Sequence, residues 1–191
     1  MITIVPYDIS WPEAFLAVAR PLRSALGELA VRIDHIGSTA VPGLAAKDVI
    51  DVQITLKDFS CMPQVVTALG SLGYTQVQEV TSDHVPPLSQ GPAADWEKRS
   101  FRQPVGLRRM HLHVRALGRP NQRYALLFRD YLRAHPVASA AYAQIKTSLS
   151  QRHPNDVDFY YDNKGPLCDI VIDAAEEWAQ VSGWHMGPSD L

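Results

Sequence analysis

His35-Ile36-Gly37-Ser38-Thr39-Ala40-Val41-Pro42-Gly43-Leu44-Ala45-Ala46-Lys47-Asp48-Val49-Ile50-Asp51-Val52-Gln53-Ile54 places a small, hydroxyl-bearing turn ahead of a strand that carries a carboxylate on one face. Alternate residues of a strand point to the same side. In a strand over 48–56, Ile50, Val52, Ile54 and Leu56 share an apolar face, while Val49, Asp51, Gln53 and Thr55 share the other. Asp51 and Gln53 are therefore expected to look into the same space. A Gly lets the backbone approach phosphate oxygens, a Ser offers its hydroxyl, and a carboxylate holds Mg²⁺, which bridges phosphate oxygens during transfer. On this reading Gly37, Ser38 and Thr39 contact phosphate, and Asp51 is the metal ligand. The plainer reading is a tight connection followed by a solvated strand end, and short Gly-Ser turns are common enough that spacing alone leaves both open.

Outward from this stretch, the chain reads as α/β first and helical last. Ser10-Trp11-Pro12-Glu13 predicts a helix start with a capping box, and Phe15, Val18, Leu22, Ala25, Leu26 and Leu29 supply a buried stripe that Pro21 is expected to kink. Strands are predicted over 31–36, 74–80, 96–103 and 108–116, and a helix over 62–72 ended by Gly73. Residues 82–94, rich in Pro, Gly, Ser and Asp, read as a loop of the length that often serves function. From Gln122 the period is helical, with His135-Pro136 separating two helices. A third is predicted over 157–163, with a break or kink at Gly165-Pro166 before a final stripe through Trp178. We expect one domain over 1–182, mainly α/β over 1–118 and mainly helical over 119–182, with a loose tail over 183–191.

Composition narrows the function classes. The chain has 191 residues, 46% of them apolar, enough for a substantial core. A net charge of -2 gives no general Lys/Arg excess for coating nucleic acid, so a basic surface has to be local. Cys61 and Cys168 are too few for a disulfide framework. The start lacks a basic segment followed by an apolar run, and no uncharged apolar stretch is long enough to cross a bilayer, which leads us to expect a cytoplasmic protein. There is no P-loop and no G-x-S-x-G elbow.

The strand predicted over 108–116 has Met110, Leu112 and Val114 on one face and Arg109, His111, His113 and Arg115 on the other. Two histidines at i and i+2 can ligate a transition metal or touch phosphate. A polar strand face beneath the 82–94 loop is an equal alternative. Arg99, Arg102, Arg108, Arg109 and Arg115 cluster on this hairpin, and Lys47 follows the Gly-Ser turn, which together allow an anion pocket. Arg129 and Lys146, on later helices, are either further phosphate contacts or surface charges.

The segment from His35 to Lys47 followed by Ile50-Asp51 resembles the signature of the GrpB family. So do Tyr7-Asp8, Trp11-Pro12, His111-Leu112-His113-Val114, and the run Phe128-Arg129-Asp130-Tyr131-Leu132-Arg133-Ala134-His135-Pro136 with Tyr142 and Lys146. The resemblance covers nearly the whole chain. It implies an α/β (α+β) nucleotidyltransferase-like fold, a mixed sheet with flanking helices, of the kind fused behind the kinase domain in some dephospho-CoA kinases. It carries no settled activity. The implied ligand is a nucleoside triphosphate or another phosphorylated small molecule with Mg²⁺, Mn²⁺ or another divalent ion, with Asp51, His111 and His113 as catalytic candidates. One position departs from the nucleotidyltransferase pattern: Gln53 stands where a second acidic residue is expected. An amide lacks the negative charge on which two-metal transfer relies. The alternatives are nucleotide binding without transfer, and a non-catalytic accessory or folding-support domain, like the one fused to dephospho-CoA kinases, in which the pocket is vestigial.

Overall fold

The apolar faces of the two strands around Asp51 and His111 set the architecture. In a computed structural model that describes every residue except Leu88, β1 (Ala30–Ile36), β2 (Ile50–Leu56), β3 (Thr75–Val77), β4 (Arg99–Arg102) and β5 (Met110–Ala116) form one sheet in the order β1-β2-β5-β4-β3. β2 and β5 run parallel in the middle, and the other pairings are antiparallel. The fold is thus a mixed α+β sheet with helices on both faces.

One face is apolar. Ile50, Val52, Ile54, Met110, Leu112 and Val114 pack against α1 (Trp11–Leu26) and α2 (Met62–Ser71), which contribute Trp11, Phe15, Leu22, Val65 and Leu69. Burying each large side chain here contributes about 1.5–3 kcal/mol. The other face carries Asp51, Gln53, His111, His113 and Arg115. It is partly roofed by α3 (Pro120–Ala134), α4 (Pro136–Arg152) and α5 (Val157–Ser182), which pack on one another through Leu127, Leu132, Tyr142, Val171, Ile172 and Ala175. The uncovered part of that polar face is the cleft.

Four local expectations differ from what is observed. Ser10 makes no side-chain cap; its backbone N–H instead donates to Asp8 Oδ1 at 2.8 Å, and Glu13 faces Arg20 at the surface. Pro21 lies inside an uninterrupted α1, whose buried stripe outweighs the one missing backbone bond. Likewise Gly165-Pro166 does not end a helix. α5 runs through both residues because Val171, Ile172, Ala175 and Ala179 beyond them are buried.

The fourth correction concerns the end of the chain, which is docked rather than loose. Gly183 closes α5 with φ +67°, and the segment after it returns along the open edge of β1. There Leu191 N–H donates to Ile33 O at 3.1 Å, Ser189 Oγ accepts from Ile33 N–H, and Asp190 Oδ2 accepts from His35 N–H. Arg32 binds the carbonyls of Gly187 and Pro188. The polar groups of a strand edge need partners, and these residues supply them.

Candidate functional site

Parallel pairing of β2 with β5 sets Asp51 directly beside His111 and Gln53 beside His113. Asp51 Oδ1 lies 2.9 Å from His111 Nδ1 and 3.7 Å from His113 Nε2, and one ligand atom from each of the three residues fits within a 4.8 Å cluster. The three side chains are 25%, 48% and 20% exposed, so the cluster opens to solvent. Burial opposes ionisation of Asp51, but the hydrogen bonds and charges of His111 and His113 outweigh it and hold the carboxyl well below the usual range. Burial lowers the pKa of His113, against the pull of Asp51. Its Nδ1 is enclosed without a partner, leaving Nε2 as the nitrogen turned toward Asp51.

The turn at the end of β1 closes over Asp51. Gly37 has φ +71° and ψ -171°, a conformation side chains disfavour, and a β-carbon there would lie 2.9 Å from Asp51 Cγ. Glycine is required on both counts. Ser38 faces the cleft. Thr39, expected to touch phosphate, is buried; its hydroxyl donates to Val49 O at 3.3 Å and meets His35 Nε2 at 3.0 Å, so it braces the turn from within. Arg133 does the same from α3, binding Ala40 O through two nitrogens at 3.0 and 2.8 Å.

Across the cleft stand α4 and α5. Lys146 Nζ donates to Ser38 Oγ and Ala45 O, both at 2.8 Å, and lies 4.6 Å from the centre of the Tyr142 ring. All of these partners are neutral, and among the described residues no carboxylate forms an ion pair with this lysine. It is only 2% exposed. Burial drives its pKa from 10.5 to about 7, with repulsion from Lys164 and Lys47 adding to the effect and Cys168 and Asp51 opposing it. Lys47 Nζ donates to Tyr161 Oη at 3.1 Å and sits over the rings of Tyr160 and Tyr161. These lysines, with Lys164, border a cleft of about 1060 Å³ that also reaches Asp51, Tyr124 and Trp96.

Two expected contacts are placed elsewhere. Gln53 shares a face with Asp51, yet α3 covers it: its Nε2 donates to Gln122 O at 3.1 Å, and its Oε1 accepts from Arg115 Nη1 at 2.5 Å. Arg129 is buried away from the cleft, where it donates to His35 O at 2.9 Å and pairs with Asp130 and Asp190. It fastens the chain end to β1 rather than meeting a ligand. Of the hairpin arginines, Arg102 and Arg109 are exposed at the cleft, Arg99 pairs with Glu97, Arg108 with Asp48, and Arg115 with Asp83. Lys47, Lys146 and Lys164 share the cleft lining with Arg102 and Arg109.

Sequence reasoning missed the base of the cleft. Asp83, in the segment read as a loop, accepts from Arg115, Lys98 and Asn121 at 2.7–3.0 Å. Burial opposes its charge, and Arg115 and Lys98 overcome that and keep it ionised. The charged trio is scattered over 32 positions, which no local pattern marks. His84, next to it, reaches Asp169 of α5 at 2.9 Å.

These positions also test whether a two-carboxylate Mg²⁺ site fits. Mg²⁺ prefers oxygen ligands in octahedral order. Asp51 supplies oxygen, Gln53 is turned to structural use, and Asp83 is committed to Arg115, Lys98 and Asn121. The donor set actually offered is one carboxylate and two imidazoles.

Comparison with known proteins places the chain. The family model described as GrpB protein matches residues 1–174. A UPF0157 protein of Halalkalibacterium halodurans is 34% identical over 176 residues, covering 91% of this chain and 82% of that protein. A dephospho-CoA kinase of Mycolicibacterium paratuberculosis is 36% identical over 195 residues, covering 96% of this chain and 48% of that protein. The chain thus spans about half the length of the first curated relatives it matches. Among solved structures, the conserved protein GrpB from Enterococcus faecalis superposes with TM-score 0.75 at 27% identity, covering 92% of this chain and 99% of that one. Cid1 in complex with its short product ApU gives TM-score 0.50 at 13% identity over 78% of this chain and 43% of that one, a likeness of fold alone. No helix of the described residues is long and apolar enough to cross a membrane.

Proposed function

This chain belongs to the GrpB protein family, and from that premise we propose that its cleft binds a nucleoside triphosphate, or a small molecule with a comparable phosphate chain, together with a divalent cation at Asp51. The reading includes transfer of a nucleotidyl or phosphoryl group to a small acceptor. The observation that carries it is the opposition of two walls: Asp51, His111 and His113 on one side, and Lys146 reaching Ser38 on the other. A buried ammonium without a carboxylate costs stability, and an arriving phosphate would relieve that cost.

In this reading Ser38 and the N–H groups of the turn orient the phosphates, Gly37 permits their close approach, and Lys146 and Lys47 neutralise them. The tyrosines of α4 and α5 exclude water from that end. A bound divalent cation would polarise phosphate oxygens and offset developing charge. Asp51 would hold it, and His111 and His113, beside the Asp51 carboxylate, complete the site at the cleft mouth. The ligands of the fold neighbour Cid1, ApU and MgGTP, are that protein's own and support the ligand class by analogy of fold.

One observation favours a second reading, an accessory domain that binds without transfer. Gln53 occupies the second acidic position and is locked between Gln122 and Arg115. The full chain incubated with each labelled nucleoside triphosphate and Mn²⁺ or Mg²⁺ separates the two. Release of pyrophosphate or phosphate that Asp51→Asn abolishes supports transfer. Saturable binding without release supports binding without transfer, and no binding of any nucleotide overturns both, leaving a folding-support domain with a vestigial pocket.

A further inference from the structure

We infer that Asp51, His111 and His113 form a centre for a single divalent transition metal of the Mn²⁺, Fe²⁺, Co²⁺ or Zn²⁺ class, selective against Mg²⁺. The inference deepens the reading of the cleft as a cation-assisted anion site by naming the cation's chemistry, and it is argued from the donor atoms alone.

Imidazole nitrogen suits borderline transition metals, whereas Mg²⁺ takes oxygen and retains water. Two of the three donors here are imidazoles. Metal–ligand bonds of about 2.0–2.2 Å give ligand-to-ligand edges of roughly 3–3.5 Å. The separations of 2.9 and 3.7 Å from Asp51 Oδ1 to the two histidine nitrogens bracket that range, and the three donors lie within 4.8 Å of one another, so side-chain rotation of the imidazoles would close the set on a metal. The backbone fixes the arrangement: Asp51 and His111 are paired across adjacent strands, and His113 follows His111 on the same face. Nδ1 of His113 is enclosed, which leaves Nε2 as its one available donor.

The stoichiometry follows from the surroundings. A second ion would need another carboxylate at the cleft, where among the described residues only Asp83 joins Asp51 in the lining, and both Asp83 and the strand neighbour Gln53 are engaged elsewhere. Gln53 is a buried amide with both ends hydrogen-bonded, and Asp83 is held by Arg115, Lys98 and Asn121. Three protein donors on an open face leave coordination positions directed into the cleft, as in sites where a metal meets substrate. Ser38 and Lys146 line the same cleft, so an anion held by the metal would share that space with the ammonium.

The test uses the full chain, stripped with a chelator and titrated with Co²⁺ in the absence of nucleotide, with the visible absorption of the bound ion as readout. The expected result is one Co²⁺ per chain, a spectrum showing nitrogen and oxygen ligation, displacement by Zn²⁺ or Mn²⁺, and no displacement by a hundredfold excess of Mg²⁺. His111→Ala, at the most exposed of the three positions, and Asp51→Asn are expected to weaken Co²⁺ binding at least tenfold while circular dichroism shows the fold intact. Absence of bound Co²⁺, equal displacement by Mg²⁺, or unchanged binding in both variants would overturn the inference. Because no nucleotide is present, that failure would leave the nucleotide reading to its own test, and failure of nucleotide binding would leave this spectrum unaffected.

Discussion

The carboxylate of Asp51 and the imidazole of His111 are joined at 2.9 Å across two adjacent parallel strands, although 60 positions separate them in the chain. That register also brings His113 beside the same oxygen and makes the strand pair a platform for a cation. The turn at Gly37 lies directly over it.

Gly37→Ala is therefore expected to destabilise the protein by about 1–3 kcal/mol, since a side chain would meet both an unfavourable backbone conformation and the Asp51 carboxyl. Urea unfolding measures it. A cost near zero would show that the turn can move away from Asp51.

Lys146 should make ligand binding pH-dependent. With its pKa at about 7, the ammonium is present at pH 6 and mostly lost at pH 8, so affinity for a phosphate ligand should fall by about tenfold over that interval. Asp51 and Cys168 favour the charge, while Lys47 and Lys164 oppose it. Lys146→Met should bind weakly at both values, and the ratio of the two proteins isolates this lysine from titration of the ligand. The stability effect has the opposite direction: the folded state binds fewer protons than the unfolded one between about pH 7 and 10.5, so stability rises with pH through that window. Below it the burial cost is fully present, and Lys146→Met should be the more stable protein at pH 6.

His35 gives a second pH window. Burial holds its pKa near 4 rather than 6.5, against attraction from Asp51 and Asp190. The unfolded chain then binds more protons between those values, so its contribution is present above pH 6.5 and lost as pH falls toward 4. Denaturation curves across this range should be steeper in pH for the native protein than for His35→Asn.

Gln53→Glu tests whether the missing acid can simply be restored. The new carboxylate would lose the hydrogen bond to Gln122 O and set an oxygen against that carbonyl instead, at a cost of about 1–3 kcal/mol. No second metal ion and no gain in turnover are expected, by metal analysis and nucleotide release. A gain in either would show that α3 yields and that the position belongs to the cleft.

Much of this was legible beforehand. Alternation in β2 and β5 separates the apolar face from the polar one, and the GrpB resemblance led to the mixed sheet. The fate of Gln53 and Arg129 was not legible. Strand periodicity says which face a side chain takes, but whether a later helix covers that face depends on packing between residues 69 and 94 positions apart. The docked chain end escaped for a related reason: Gly187–Leu191 has no strand pattern of its own and is ordered by the polar edge of β1. Pro166 inside α5 shows the same principle, with tertiary burial overriding a local break signal.

The most direct measurement is isothermal titration of the full chain with each nucleoside triphosphate in the presence of Mn²⁺, repeated on Asp51→Asn. We expect one saturable site for at least one nucleotide, and affinity at least tenfold weaker in the variant. Failure of the native chain to bind any of them, or equal binding by Asp51→Asn, would contradict the account.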